Sequence, residues 1–414
     1  MCTTSSPEPP VLFARQPIFD RDLSLAGFEL LFRDHLQQQA APADFDGNTA
    51  TSRVLINAFS ESDIESVCQN KPAFVNFTAD TLLADLPFAA HQLVVEVLED
   101  VPATSSVIEA IRGLRQRGFR IALDDCGPDD ANHPLLAYAD IVKLEYPQFS
   151  ANDLAHTVAA LREARPDIQI LAEKVETWAD FERCQTVGCD LFQGYFIARP
   201  EPVPGRTMPI AQVNIIQLLA KLNDPYASIE DISTLLSNDP FLSLRVLQLV
   251  NSAGRRPMRE IVSLHKAILA LGLAPIRAFA SLLMLSKLQD KPHALQQLAV
   301  ARGAICRSLC EHLPIPSEMG FTTGLLSCLD AMLDRPLVDI LDRISFDARI
   351  VAALTKHEGP LGIVLQAVLL HENGEFDAIP WADLAKLDIY TDTLMAAFRH
   401  GTDVANQQSR ALAP

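Results

Sequence analysis

This sequence predicts an α/β barrel followed by an all-helical domain, on three observations. Eight short, β-rich apolar runs fall before about residue 200. Helix-length segments separate the later runs. A break at 198–209, ARPEPVPGRTMP, then gives way to helical periodicity alone. Alternation of strand and helix implies right-handed crossovers and a parallel sheet. Eight strands of that kind fit an irregular TIM-type (β/α)8 barrel over residues 10–200. Residues 201–209 form the linker, 210–400 the helical domain, and 401–414 a tail expected to fray.

The elements follow in order. VLFARQPIF and AGFELLF are joined by FDRDLSL, too short for a helix, so they pair as a hairpin and make the barrel irregular. AFVNFT and LVVEVLE come next. SSVIEAIRGLRQRG is the crossover helix to FRIALDD, and DIVKLE follows. LAHTVAALREA leads to IQILAEK, and LFQGYF closes the set. In the second half, Ser228 and Asp231 open a helix with Ile232, Leu235 and Leu236 on one face. Asp239 and Pro240 suit the cap and first turn of FLSLRVLQLVNSA, with Asn251 capping its end. SLHKAILALG runs from a Ser263 cap to a Gly272 stop.

Composition narrows the function classes. A chain of 414 residues is long enough for two or three domains. Its net charge of −18 and pI near 4.9 argue against a broad DNA- or RNA-binding surface. A small anion remains compatible where a metal or a few local cations offset the field. The eight cysteines form no C-x-x-C pair and read as reduced, mostly buried thiols. Cys306 and Cys310 lie one helical turn apart, but no His or Cys stands at ligand spacing, so zinc is not expected. MCTTSSPEPP is not a signal peptide, and no apolar run has membrane-spanning length without a charge or proline. The expected protein is soluble and cytoplasmic, with no membrane contact.

The polar residues of the barrel half carry the chemistry. Glu29 lies in GFELLFR, Asn76 ends AFVNF, and Glu96 ends LVVEV. Asp124 and Asp125 end FRIAL, Lys143 ends DIVK, Glu173 ends ILAE, and Gln193 opens FQGYF. Taken singly, each reads as a cap or turn residue. Together, at the same ends of parallel strands, they meet on the face where barrel active sites sit. Burying so many carboxylates without a cation would cost heavily or force their protonation. Oxygen ligands without His or Cys suit Mg²⁺ or Mn²⁺.

FARQPIFDRDLSLAGFELLFR, ALDD, AEKVET and FQGYF resemble the EAL domain family, and LSNDPFLSLRVLQLVNSA resembles the HDOD domain. Together they look like the two-domain EAL–HDOD signalling proteins of bacteria. The resemblance implies hydrolysis of one phosphodiester of cyclic di-GMP to linear pGpG with two divalent cations. It implies that Glu29, Asn76, Glu96 and Asp124 hold the first, with Asp124 bridging to a second held by Asp125 and Glu173. Lys143 would hold or activate the attacking water, and Gln193 would help position water and substrate. Arg33 would contact a ligand phosphate, Leu31 would pack on the nucleotide, and Glu176 would support the neighbouring loop. A homodimer contact and a protein partner of the HDOD domain are further implications.

The chain departs from the family at several points. Glu-Ala-Leu reads Glu29-Leu30-Leu31. The glycine-rich loop after the aspartate pair, which gates the second metal and the dimer contact in the family, reads DDCGPDDANHPL, with Cys126 for Phe and a rigid Pro128. Lys-x-Asp reads Lys143-Leu144-Glu145, and Lys174 stands where the family has glycine. These changes leave occupancy of the second metal position open. They also leave three readings open: a phosphodiesterase, a receptor that binds cyclic di-GMP without cleaving it, or a protein-interaction scaffold. The helical half contains no adjacent His-Asp pair. Its histidines, His265, His293, His312, His357, His371 and His400, read as surface or capping residues, with His357 and His371 at helix C-termini. Such a domain fits a relay to a protein partner.

Overall fold

A computed structural model describes residues 12–33, 68–83, 89–127, 133–200, 217–224, 226–238, 243–247, 263–285, 292–341 and 346–412. The chain divides into two compact units. One comprises the chain to Ile197 together with His371–Phe376; the other comprises Ala198–Leu370 and Asp377–Pro414.

The first unit is a closed eight-stranded barrel. Its strands are β1 (Leu12–Asp20), β2 (Leu25–Arg33), β3 (Ala73–Phe77), β4 (Leu93–Val97), β5 (Arg120–Leu123), β6 (Ile141–Glu145), β7 (Gln169–Glu173) and β8 (Leu191–Gln193). All eight expected strands form. β1 runs antiparallel to both β2 and β8, and the remaining neighbours are parallel, so the expected hairpin is the irregularity of the barrel. Among the described residues, the longer helices between strands are α1 (Ser105–Gln116), α2 (Ala151–Ala164) and α3 (Trp178–Val187). Thr104, Ser150 and Thr177 cap them by accepting the amides of Val107, Asp153 and Asp180. β8 stops at Gln193, earlier than its apolar run suggests. Gly194 adopts φ +147°, and a Cβ there would lie 2.1 Å from the Val175 carbonyl oxygen, so only glycine lets the chain turn this close to β7.

The barrel interior is a floor of Ile18, Phe74, Val94, Ala122, Ile141, Leu171 and Leu191. Side chains alternate along a strand, so on β3 to β8 the residue two positions on from each floor residue faces the same interior one layer higher. Those positions hold Asn76, Glu96, Asp124, Lys143, Glu173 and Gln193. On β2 the place below Glu29 is Gly27, and the Phe74 ring fills the space its Cβ would take, at 2.7 Å.

The second unit is helical: α4 (Ile229–Ser237), α5 (Leu264–Leu271), α6 (Leu273–Leu285), α7 (His293–Cys310), α8 (Ser317–Leu326), α9 (Ala348–Lys356), α10 (Gly359–Glu372) and α11 (Thr391–Leu412), with shorter helices between. The Ser228–Asp231 capping box forms. Ser263 occupies the cap position of α5, but its side chain makes no capping hydrogen bond, and Gly272 ends that helix with φ +86°. Asp239, Pro240 and Asn251 lie outside the described residues. The tail expected to fray from 401 is helical to Leu412. It stays ordered because it packs: Gly401 lies directly on α7, where a Cβ would meet Ile305 at 2.3 Å, and Ala405 and Asn406 are buried. Among the described residues no single helix is long and apolar enough to cross a membrane. The seven described cysteines are buried free thiols.

Candidate functional site

Lys143 lies at the centre of the layer above the apolar floor. The sequence places it at the end of its strand, but it is the third residue of β6, and Glu145 ends it. From that lower position its side chain rises into the barrel and is 1% exposed. Its Nζ lies 3.2 Å from Glu29 Oε1, 3.0 Å from Glu96 Oε1, 2.9 Å from Asp124 Oδ1 and 2.8 Å from Glu173 Oε1. Four strands and the end of β5 thus aim charged groups at one point.

The charges shift one another. Burial alone would push the Lys143 ammonium down, but Glu173, Glu29, Glu96 and Asp124 outweigh it and hold Lys143 well above the ordinary lysine value. It therefore stays protonated and acts as a hydrogen-bond donor. Glu96 is fully buried, and burial raises it well above the usual carboxylate range. Lys143 opposes the rise, and the other three carboxylates add to it. Burial also pushes Glu173 up to about 7, with Lys143 opposing and Glu29 and Asp124 adding. One ammonium cannot balance four carboxylates, and the excess negative charge is relieved by holding protons.

The remaining candidates take distinct places. Gln193 ends β8 and donates from Nε2 to Glu29 Oε2 at 2.5 Å and to Gln16 Oε1 at 2.8 Å. Asn76 is paired in register with Glu96, and its Oδ1 is buried without a hydrogen-bond partner. Asp125 does not join the cluster around Lys143. It adopts φ +42°, and its Oδ1 accepts from Gln148 Nε2 at 3.3 Å. Leu31 is half-buried on β2, two residues beyond Glu29. Arg33 ends β2, and its side chain lies outside the described residues. Glu176 is exposed, one residue before the Thr177 cap of α3. Within the altered loop, the Cys126 amide donates to the Lys143 carbonyl at 3.0 Å, and residues 128–132 lie outside the described residues. Lys174 adopts φ +53°, a conformation that favours glycine, and its Nζ pairs with Glu145 at 2.7 Å. The two departures from the family pattern therefore meet as an ion pair.

Two expectations need correction or addition. His371 is not a cationic cap for its helix end. It is 1% exposed, and burial pushes it down to about 3, so it is neutral near pH 7. Gln16 was not among the sequence candidates. It pairs directly with Glu29 in the β1–β2 register, but only beyond a register shift between Ile18 and Phe19; counting back from the FDRDLSL turn sets it opposite Phe28 instead.

Among the described residues no group of three His, Cys, Asp or Glu side chains is arranged as a metal site. The carboxylates instead surround an ammonium. The donor chemistry nevertheless fits a hard divalent cation: the oxygens are carboxylate or amide, Asn76 Oδ1 is buried without a partner, and the cluster lacks positive charge.

The EAL domain family matches residues 28–200, and the HDOD domain family matches residues 208–333. The chain is 30% identical over 379 residues to the uncharacterized protein YuxH of Bacillus subtilis, covering 89% of this chain and 92% of that one. It is 30% identical over 371 residues to the cyclic di-GMP phosphodiesterase CdgJ of Vibrio cholerae, covering 88% and 86%. Among solved structures, the manganese/cy-diGMP complex of Klebsiella pneumoniae BlrP1 matches with a TM-score of 0.37 at 22% identity, over 46% of this chain and 56% of that chain. Two family matches in sequence, and two relatives aligned across their junction, show that the chain belongs to the EAL domain family, with an HDOD domain following its barrel.

Proposed function

We propose that the barrel binds cyclic di-GMP together with Mg²⁺ or Mn²⁺ and hydrolyses one phosphodiester to linear pGpG. The helical half then passes the state of the barrel to a protein partner in the cytoplasm. The observation that carries this reading is the convergence of Glu29, Glu96, Asp124 and Glu173 on one buried lysine. With Asn76, these residues would hold a first cation, and Asp124, Asp125 and Glu173 a second. Such cations supply Lewis acidity and lower the pKa of water. Lys143, protonated throughout the working range, donates to the attacking water or to a phosphate oxygen and does not act as a base. Gln193 spends its N–H groups on Glu29 and Gln16, which leaves Oε1 to accept from water or substrate. Leu31 supplies an apolar surface for a nucleobase, and Arg33 a cation for a phosphate.

A second reading has its own support. Asp125 is tied to Gln148, outside the carboxylate cluster, which favours one cation over two and so a receptor that binds without cleaving. Calorimetric titration with cyclic di-GMP separates the two. Ca²⁺ is used first, then Mg²⁺ or Mn²⁺, with product followed by chromatography. Binding with linear product supports hydrolysis. Binding without product supports the receptor. Absence of binding in every metal overturns both and leaves a scaffold.

A further inference from the structure

The hydrogen bonds around Gln193 continue beyond the carboxylate cluster. Gln193 Nε2 donates to Glu29 Oε2 and to Gln16 Oε1, and Gln16 Nε2 donates at 3.0 Å to the backbone carbonyl of Asn373. Asn373 belongs to His371–Phe376, the short stretch that joins the barrel unit although the chain on either side of it belongs to the helical unit. The EAL domain match ends at residue 200 and the HDOD domain match at 333, so neither includes this stretch.

The chemistry at the two ends gives this chain a direction. A backbone carbonyl accepts and never donates, and so does an ionised carboxylate. Gln16 must therefore turn its amide nitrogen to Asn373, which leaves its oxygen facing Gln193. Gln193 must turn its nitrogen to that oxygen and to Glu29. One atom is left over: Gln193 Oε1, buried and without a hydrogen-bond partner. An amide free to rotate could present either atom to a ligand, and this one cannot.

The stretch is shaped to hold its carbonyl in place. His371 is buried and meets the Phe376 ring edge-on at 5.3 Å. The Gly374 amide donates to the His371 carbonyl, and Asn373 Nδ2 donates to Glu375 Oε1 at 2.9 Å. Gly374 adopts φ +73° and lies so close to Leu31 that a Cβ would stand 2.8 Å from its Cδ1. Glycine is thus favoured by its backbone conformation, and a larger residue would have to displace the end of the Leu31 side chain on β2.

We propose that Gln16 and the His371–Phe376 stretch are positioning elements of the barrel site. They fix the carboxamide of Gln193 so that Oε1 receives a proton donor from the bound water or substrate. This rests on the hydrolytic reading above. It adds that the EAL domain alone is an incomplete site in this chain, because a turn from beyond the HDOD match sets the orientation of one of its amides.

The test uses the full chain with Mn²⁺ and cyclic di-GMP, measuring kcat and KM for the parent, Gln16→Met, Gly374→Val and the double variant. Gln16→Met removes both hydrogen bonds at nearly constant volume, so it answers the question even if Gly374→Val folds poorly. Urea midpoints are recorded for all four. The expected result for Gln16→Met is a fall in kcat of tenfold or more with KM within threefold of the parent, which a purely structural bond would not produce. Gly374→Val should lower kcat similarly, and the double variant should be no slower than the slower single one, because both changes break one chain. An active parent with an equally active Gln16→Met variant overturns the inference alone. So do losses that multiply in the double variant. A parent without turnover overturns the hydrolytic reading, and the inference falls with it.

Discussion

Lys143 occupies the position where a cation is most needed and is itself only part of that charge. Its ammonium lies within 3.2 Å of four carboxylates on a floor of apolar side chains. Removing one partner of such a group leaves the others buried and uncompensated, which costs roughly 3–5 kcal/mol for a simple buried pair. Lys143→Met should therefore lower stability by about that amount in metal-free buffer, read as a reduced urea midpoint. Some of the loss will be relieved as the carboxylates take up protons. The diagnostic outcome is rescue: Ca²⁺ should raise the midpoint of Lys143→Met more than that of the parent, because a divalent ion supplies the missing charge. Equal shifts in the two proteins would mean that the carboxylates do not form a cation site. The charged residues of this site were legible in the sequence because each apolar run of the barrel carries one of them near its C-terminal end. Gln16 was not, because a lone glutamine on an antiparallel strand looks like ordinary alternation. Its meaning lies in register with Glu29, which a β-bulge between Ile18 and Phe19 shifts by one residue.

At the scale of elements, the same substitution should have opposite effects at two glycines. Gly194 follows the last residue of β8, with φ +147° and no room beside the Val175 carbonyl. That contact lets the Val175 amide donate to the Gln193 carbonyl at 3.0 Å and pins Gln193 beside the Glu173 strand. Gly194→Ala should cost about 3 kcal/mol or more and weaken cyclic di-GMP binding in Ca²⁺. Gly113 lies inside α1 with nothing within 4 Å of its missing Cβ, so Gly113→Ala should stabilise by about 0.5–1 kcal/mol. Urea melts of both variants check the pair. A neutral Gly194→Ala would mean that the β8 turn is not as tight as described. Strands were easier to read than their ends: hydrophobic runs located all eight, but backbone crowding at Gly194 shortened β8. Continued packing of Gly401 and Ala405 kept α11 helical where composition suggested fraying. Neither effect is local in sequence. The burial of His371 is a third case, since a histidine beside Asn373-Gly374 at a helix end has the composition of an exposed cap.

For the whole molecule, charge decides how ligand and metal depend on each other. The chain carries a formal −18, cyclic di-GMP is a dianion, and four of the acidic groups line the proposed binding layer. Binding of the nucleotide without a cation would add negative charge to a site that already retains protons to relieve it. Cyclic di-GMP should therefore show no measurable affinity in EDTA and bind once Ca²⁺ is present. By linkage, the nucleotide must strengthen Ca²⁺ binding by the same factor. The pH dependence follows from Glu173, which burial raises to about 7 and which must lose its proton to serve as a ligand. Below that value Ca²⁺ competes with a bound proton; above it the carboxylate is already charged. Ca²⁺ affinity should thus rise between pH 6 and pH 8, with release of the Glu173 proton diminishing over the same range. Calorimetry in two buffers of different ionisation enthalpy measures that release directly. The chain divides into two compact units, so Ca²⁺ should also raise the melting temperature of one thermal transition and leave the other in place. Affinity that is flat with pH and releases no protons would mean that Ca²⁺ binds elsewhere, and the carboxylates around Lys143 would then be a closed ionic network serving the stability of the barrel.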